Sequence, residues 1–339
     1  MTRLALWSAV LAALLAGGAA FLYRSQHVSG QSTDSLVRSA WTDGRNVALK
    51  GDQVISLTGT DGKPLELKAR VLTSANGHTR IEYVDGPLKG VTIWENGERT
   101  YRYNPRLERL TVAQKRGTEA ERREQELQLL ENYEARVTGE QTVAGRSCLI
   151  VELRPKSGSD RWKRVAIDPS TSVILVNEDR RGPDHVLRRT AFTDVQLLAS
   201  KDQPPPETFH PPADLVAEYG EAEPGASGTR YTPETLSKAV GFPVRGPRWI
   251  PEGYALQGGY LTPCACKQPH QAARLEYWDG LNTITLFQCA HPACSAAGKC
   301  FGAAASGPMA VHLRRGKATY LAIGEAKRED LSRMIESLP

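Results

Sequence analysis

Residues 133–198 read YEARVTGEQTVAGRSCLIVELRPKSGSDRWKRVAIDPSTSVILVNEDRRGPDHVLRRTAFTDVQLL, and this stretch decides the fold. Short apolar runs (Cys148 to Leu153, Trp162 to Ile167, Val173 to Val176, Val186 to Phe192) alternate with turn formers: Ala144-Gly145, Ser157-Gly158-Ser159-Asp160, Asp168-Pro169-Ser170 and Arg181-Gly182-Pro183-Asp184. Runs of this length, rich in Val, Ile and Leu and cut by Gly, Pro, Asp and Ser, predict an antiparallel meander. Arg, Glu, Lys and Asp fill the alternate positions, so one face is buried and the other wet.

Working outward, the spacing predicts a short helix over Ser32 to Trp41 and strands near 46–58, 64–73, 79–84, 90–95, 99–104 and 107–113. Asp61-Gly62, Asn76-Gly77 and Asn96-Gly97 are hairpin signals between them. Thr118 to Tyr133 opens with a capping box and continues as a charged helix. From Ser200 to Arg230 the composition turns Pro- and Gly-rich and reads as a linker, with a short helix at 214–219. Beyond it, strands are predicted near 254–262, 272–278, 282–288, 309–314 and 318–323, with helices at 236–240 and 327–338.

The order of these motifs resembles the MucB/RseB family. A Tyr, a strand, Val143-Ala144-Gly145-Arg146, a second strand, the Asp168-Pro169-Ser170-Thr171 turn and a strand ending Phe192-Thr193-Asp194-Val195 carry the likeness in the first half. Pro247 to Tyr254, Arg274 to Leu281 and Met334 to Leu338 carry it in the second. The resemblance implies an α+β chain. Its N-terminal part would be a half-open antiparallel β-barrel covered by helices, similar to the LolA-type lipoprotein carriers, followed by a smaller C-terminal α+β domain. The expected organisation is a leader at 1–24, the barrel-like domain at 31–199, the linker at 200–230 and the second domain at 231–339.

The leader contains LALWSAVLAALLAGGAAFLY at residues 4–23, following Arg3. Twenty residues, apolar apart from Ser8, span about 30 Å, enough for an inner-membrane anchor, and the small residues 16–20 also suit a cleaved signal peptide. Either case places the chain in the periplasm or another extracytoplasmic space. The net charge of +5, with basic and acidic residues interleaved, argues against a nucleic-acid partner.

No nucleophile elbow, phosphate loop, zinc-protease motif or dinucleotide fingerprint is present, and the seven histidines stand singly. The chain is therefore read as a binding protein, not an enzyme, with no cofactor. Cys148 reads as a small buried hydrophobe. Cys264, Cys266, Cys289, Cys294 and Cys300, with His270 and His291 among them, form a cluster outside the family pattern. Export favours disulfides there, while thiolate and imidazole ligands for zinc or copper(I), or a redox role, are the alternatives.

Function then rests on shape. An incompletely closed sheet has an apolar inner face that helices or a ligand such as acyl chains must cover. The candidate liners are Trp41, Tyr83, Trp94, Tyr101, Tyr103 and Trp162. The family resemblance implies a regulator that binds the exported part of an anti-sigma factor and senses a lipid or lipoprotein. A LolA-type lipid or lipoprotein carrier is the alternative, and a cysteine-dependent redox or metal-handling envelope protein is the third.

Overall fold

The computed structural model describes residues 32–58, 64–97, 99–114, 128–219, 229–264, 271–290 and 310–339. The leader at 4–23, the Asp61-Gly62 turn, most of the helix predicted at 118–133, His270, His291, Cys266, Cys294 and Cys300 lie outside these residues.

Two antiparallel sheets share no strand. The first contains β1 (Leu49–Thr58), β2 (Pro64–Thr73), β3 (Thr79–Tyr83), β4 (Thr92–Glu95), β5 (Arg99–Asn104), β6 (Arg109–Gln114), β7 (Tyr133–Val143), β8 (Arg146–Pro155), β9 (Arg161–Ile167), β10 (Ile174–Arg181) and β11 (His185–Leu197). Their order is β6-β5-β4-β3-β2-β1-β11-β10-β9-β8-β7. Two meanders are thus fused where β1 pairs with β11. Strands β6 and β7 are the two ends, so the sheet stays open.

Local chemistry sets the turns. Ala144 and Gly145 both take positive φ (47° and 77°), the left-handed pair that a two-residue hairpin needs to follow strand twist. After β9, the buried Asp168 carboxylate accepts from Ser170 N (2.9 Å), Ser170 Oγ (2.7 Å), Thr171 Oγ1 (2.9 Å) and Arg146 Nε (2.5 Å). That one side chain closes the Asp-Pro-Ser-Thr turn and ties it to the start of β8.

Partners across antiparallel strands share a face, so the register sorts the side chains. Ile55, Leu67, Thr190, Asn177, Val165 and Val151 fall on the first face. Helix α1 (Thr33–Thr42) packs there. Its N-cap Ser32 accepts from Ser35 N, and Leu36, Val37 and Ala40 join Leu129, Tyr133, Val151, Leu153, Val165 and Ile167 in one core. On the second face Arg136, Glu152, Arg164, Glu178 and Arg189 stand in line across β7 to β11, alternating in sign. Glu178, 5% exposed, meets Arg180 at 2.7 Å, Arg189 at 3.2 Å and Arg164 at 3.5 Å.

Pro206–Phe209 and helix α2 (Ala213–Tyr219) pack on the first sheet. Phe209 is buried edge-on against His78, and Asn96 Nδ2 lies 3.1 Å from His210 Nδ1. The second sheet orders β12 (Ala255–Pro263), β13 (Gln271–Trp278), β14 (Thr283–Cys289), β16 (Ala318–Gly324) and β15 (Ala310–Arg315). Helices α3 (Pro233–Val240) and α4 (Arg328–Glu336) cover one face of it, where Leu236, Leu275, Ile284, Leu286, Leu331 and Met334 form the core.

Candidate functional site

The two sheets meet at the β13–β14 turn, Trp278-Asp279-Gly280-Leu281-Asn282. Asp279 Oδ1 accepts from the backbone N–H of Leu281 (2.8 Å) and Asn282 (2.6 Å), which shapes the turn from within. Its Oδ2 reaches across to the first sheet and accepts from the Tyr133 hydroxyl at 2.6 Å. Asn282 Nδ2 donates to the same hydroxyl oxygen at 2.7 Å. Burial first, and then the neighbouring Asp279 charge, push the Tyr133 hydroxyl far above its ordinary pKa. It therefore remains a proton donor at any physiological pH.

The helical turn at 128–132 supplies the rest of the contact. Gln128 Nε2 donates to Trp278 O (2.7 Å), and Asn132 Nδ2 donates to Asp279 O and Gly253 O (2.8 Å each). Leu281 packs into the α1 core. Gly280 has φ 107°, and a Cβ there would lie 2.6 Å from Leu129 Cα. Only glycine permits this approach. A cleft of about 250 Å³ opens beside the junction, with Tyr133, Pro155 and Ser157 on one wall and Trp249, Tyr254 and Glu325 on the other.

The sequence-predicted liners do not converge on one hollow. Trp41 is half-buried against the α1 core, and Tyr83 packs on the first face with Ile55, Leu67 and Ala69. Trp94, Tyr101 and Tyr103 lie together on the second face with Leu110 and Val112, beneath Leu215 and Val216 of α2. Trp162 shares that second face but sits six strands from Trp94, about 29 Å along the sheet at ~4.8 Å per strand. Its indole Nε1–H donates to Gly182 O at 2.7 Å, and its ring lies between the guanidiniums of Arg154 (4.1 Å) and Arg180 (5.0 Å). A second cavity, about 380 Å³, also opens on this face and is lined by charges, among them Lys50, Asp52, Arg70, Arg80, Glu82 and Asp194.

Cys264 and Cys289 are both buried at one end of the second sheet. Cys148 is buried in the first with Ala166 and Val173, and burial pushes its thiol up to about 11. Sequence reasoning placed Tyr133 and Asp279 in the stretches that carry the family likeness and did not single out Gln128 or Asn132. Nothing local marks side chains whose partners lie 121 to 150 residues away.

Residues 52–213 match the family model described as MucB/RseB N-terminal domain. Over that stretch the chain is similar to the MucB/RseB family. No curated protein matches the chain. Among solved structures, the complex of Pseudomonas aeruginosa MucA/MucB is similar over 91% of this chain and 98% of that one, with TM-score 0.61 at 16% identity. MucB in complex with MucA(peri) gives 0.57 at 17% identity over 90% and 96%. MucB alone gives 0.55 at 16% over 89% and 96%. At these identities the likeness is one of fold, and it extends past residues 52–213 to the second sheet. No described helix is long and apolar enough to cross a membrane.

Proposed function

We propose that the chain is an extracytoplasmic regulatory binding protein that engages the exported part of an anti-sigma factor. The observation that carries this reading is the match of residues 52–213 to the MucB/RseB N-terminal domain. The fold supports it, because the likeness to MucB in its complex with MucA runs through both sheets. Nothing in the reading asks for reactive groups. The junction at Asp279 makes the two sheets present one composite surface, so a partner that bridges them binds a preformed shape and loses less entropy on binding.

The finer part of the proposal is ligand sensing. Trp94, Tyr101 and Tyr103 form an apolar patch whose cover is α2, only seven residues long. An acyl chain displacing α2 would gain that patch, with Trp41, Tyr83 and Trp162 as further contact points at the other sites described. Residues 4–23 would export the chain and either leave it or hold it at the membrane.

Affinity purification of residues 25–339 from an envelope extract, with mass spectrometry of bound protein and bound lipid, tests the reading. Recovery of an anti-sigma factor is the expected result. Lipid without protein would favour a carrier instead, and neither would overturn both.

A further inference from the structure

The hairpin tip between β5 and β6 serves no contact described so far. It reads Asn104-Pro105-Arg106-Leu107-Glu108-Arg109 and is built as a fixed turn. Asn104 Oδ1 accepts from Arg106 N at 3.1 Å, Leu107 N donates to Asn104 O at 3.2 Å, and Glu108 takes the left-handed φ of 45°. The consequence is that Leu107 points away from the core. It is 68% exposed, while the other exposed large hydrophobic side chain among the described residues, Leu256, stands at 39%.

Cations share its hairpin. Arg102, Arg106 and Arg109 are all exposed on this hairpin. Gly90 approaches Pro105, so that a Cβ on Gly90 would lie 3.0 Å from Pro105 Cγ, and this contact brings exposed Lys89 beside the tip. None of these four cations has a carboxylate partner among the described residues, and Glu108 is the one acid in the group. A lone exposed leucine needs no explanation. One held at the apex of a hydrogen-bonded turn, on a hairpin whose exposed arginines have no carboxylate partner among the described residues, has the makeup of an interfacial contact: an apolar wedge with phosphate-binding cations beside it.

We infer that the β5–β6 tip docks on a bilayer surface bearing anionic phospholipid headgroups. Leu107 enters the headgroup–acyl boundary, and Lys89, Arg102, Arg106 and Arg109 pair with lipid phosphates. The tip belongs to neither the junction nor the α2 patch, so this contact is independent of which protein the chain regulates.

Hydrogen exchange of the full chain tests it, with vesicles of phosphatidylglycerol and phosphatidylethanolamine compared with vesicles of phosphatidylcholine alone. The amides of 106–109 should slow by about tenfold with the anionic vesicles only, and added salt should reverse the effect. Leu107→Asp and Arg106→Glu should each abolish the slowing, while the β1 and β11 amides exchange as before and report an intact fold. Equal exchange with both vesicle types would overturn the inference. So would slowing that survives Leu107→Asp, or slowing that needs an acidic protein instead of lipid.

Discussion

Replacing Tyr133 by Phe removes one oxygen from the junction and leaves the ring in the α1 core. The hydroxyl donates to Asp279 Oδ2 at 2.6 Å and accepts from Asn282 Nδ2 at 2.7 Å. Without it, Oδ2 keeps the 3.1 Å bond from Asn282 Nδ2, and the carboxylate of Asp279, a residue 7% exposed, has the Tyr254 hydroxyl as its other hydroxyl neighbour. Loss of a hydrogen bond to a buried charge costs about 1.5–3 kcal/mol. Urea unfolding should therefore show Tyr133→Phe destabilised by about 2 kcal/mol. A cycle with Asn282→Ala should give a coupling above about 0.5 kcal/mol, because the two side chains share one oxygen. Gly280→Ala is the companion variant: its Cβ would stand 2.6 Å from Leu129 Cα and its φ of 107° disfavours any side chain. The tip should withdraw, and a single unfolding transition should split into two as the sheets melt separately. A Tyr133→Phe loss below about 0.5 kcal/mol, with Gly280→Ala still unfolding in one step, would refute the idea that this turn joins the halves.

Four further outcomes are expected. Burial alone would raise the Asp168 carboxyl, but hydrogen bonds from Ser170, Arg146 and Thr171 outweigh it and hold it below the usual carboxylate range. Its stabilisation is thus present above the unfolded pKa of about 3.9 and lost as pH falls through the depressed folded value, so Asp168→Asn should flatten the acid limb of a stability–pH curve. Glu178→Gln leaves Arg164, Arg180 and Arg189 gathered around a neutral group, and chemical denaturation should show a loss of about 3–5 kcal/mol. Cys148, its thiol raised to about 11, should resist alkylation in the native protein and react only at the rate of unfolding. Leu215→Asp should detach α2 and shift tryptophan emission to the red as Trp94 meets water, with the rest of the fold retained.

Local chemistry made most elements legible. Ala144-Gly145 and the Asp-Pro-Ser-Thr turn fix their hairpins through their own φ angles and side-chain oxygens, and the strands between them followed from composition. The predicted helix at 32–41 is found at Thr33–Thr42 because Ser32 caps it and its apolar spacing matches the core below. Faces were harder. Counting aromatics gave no way to see that Tyr83 and Trp94, on neighbouring strands, point to opposite sides, since that depends on the register Arg80↔Trp94. The tie between Tyr133 and Asp279 is set by tertiary approach and leaves no pattern in either segment. Phe209, 1% exposed within the proline-rich stretch, likewise gains its burial from β3, which local composition cannot report.

The alternating line Arg136–Glu152–Arg164–Glu178–Arg189 does more than balance charge on the second face. Sliding β9 by two residues along β10 would preserve the inward apolar set but set Arg164 opposite Arg180, and sliding it by one would turn the apolar set outward. Each mispairing is thus penalised by a different force, repulsion for the even slip and exposed hydrocarbon for the odd one. The charges act as registration marks, letting these five strands of similar texture recognise their proper neighbours during assembly.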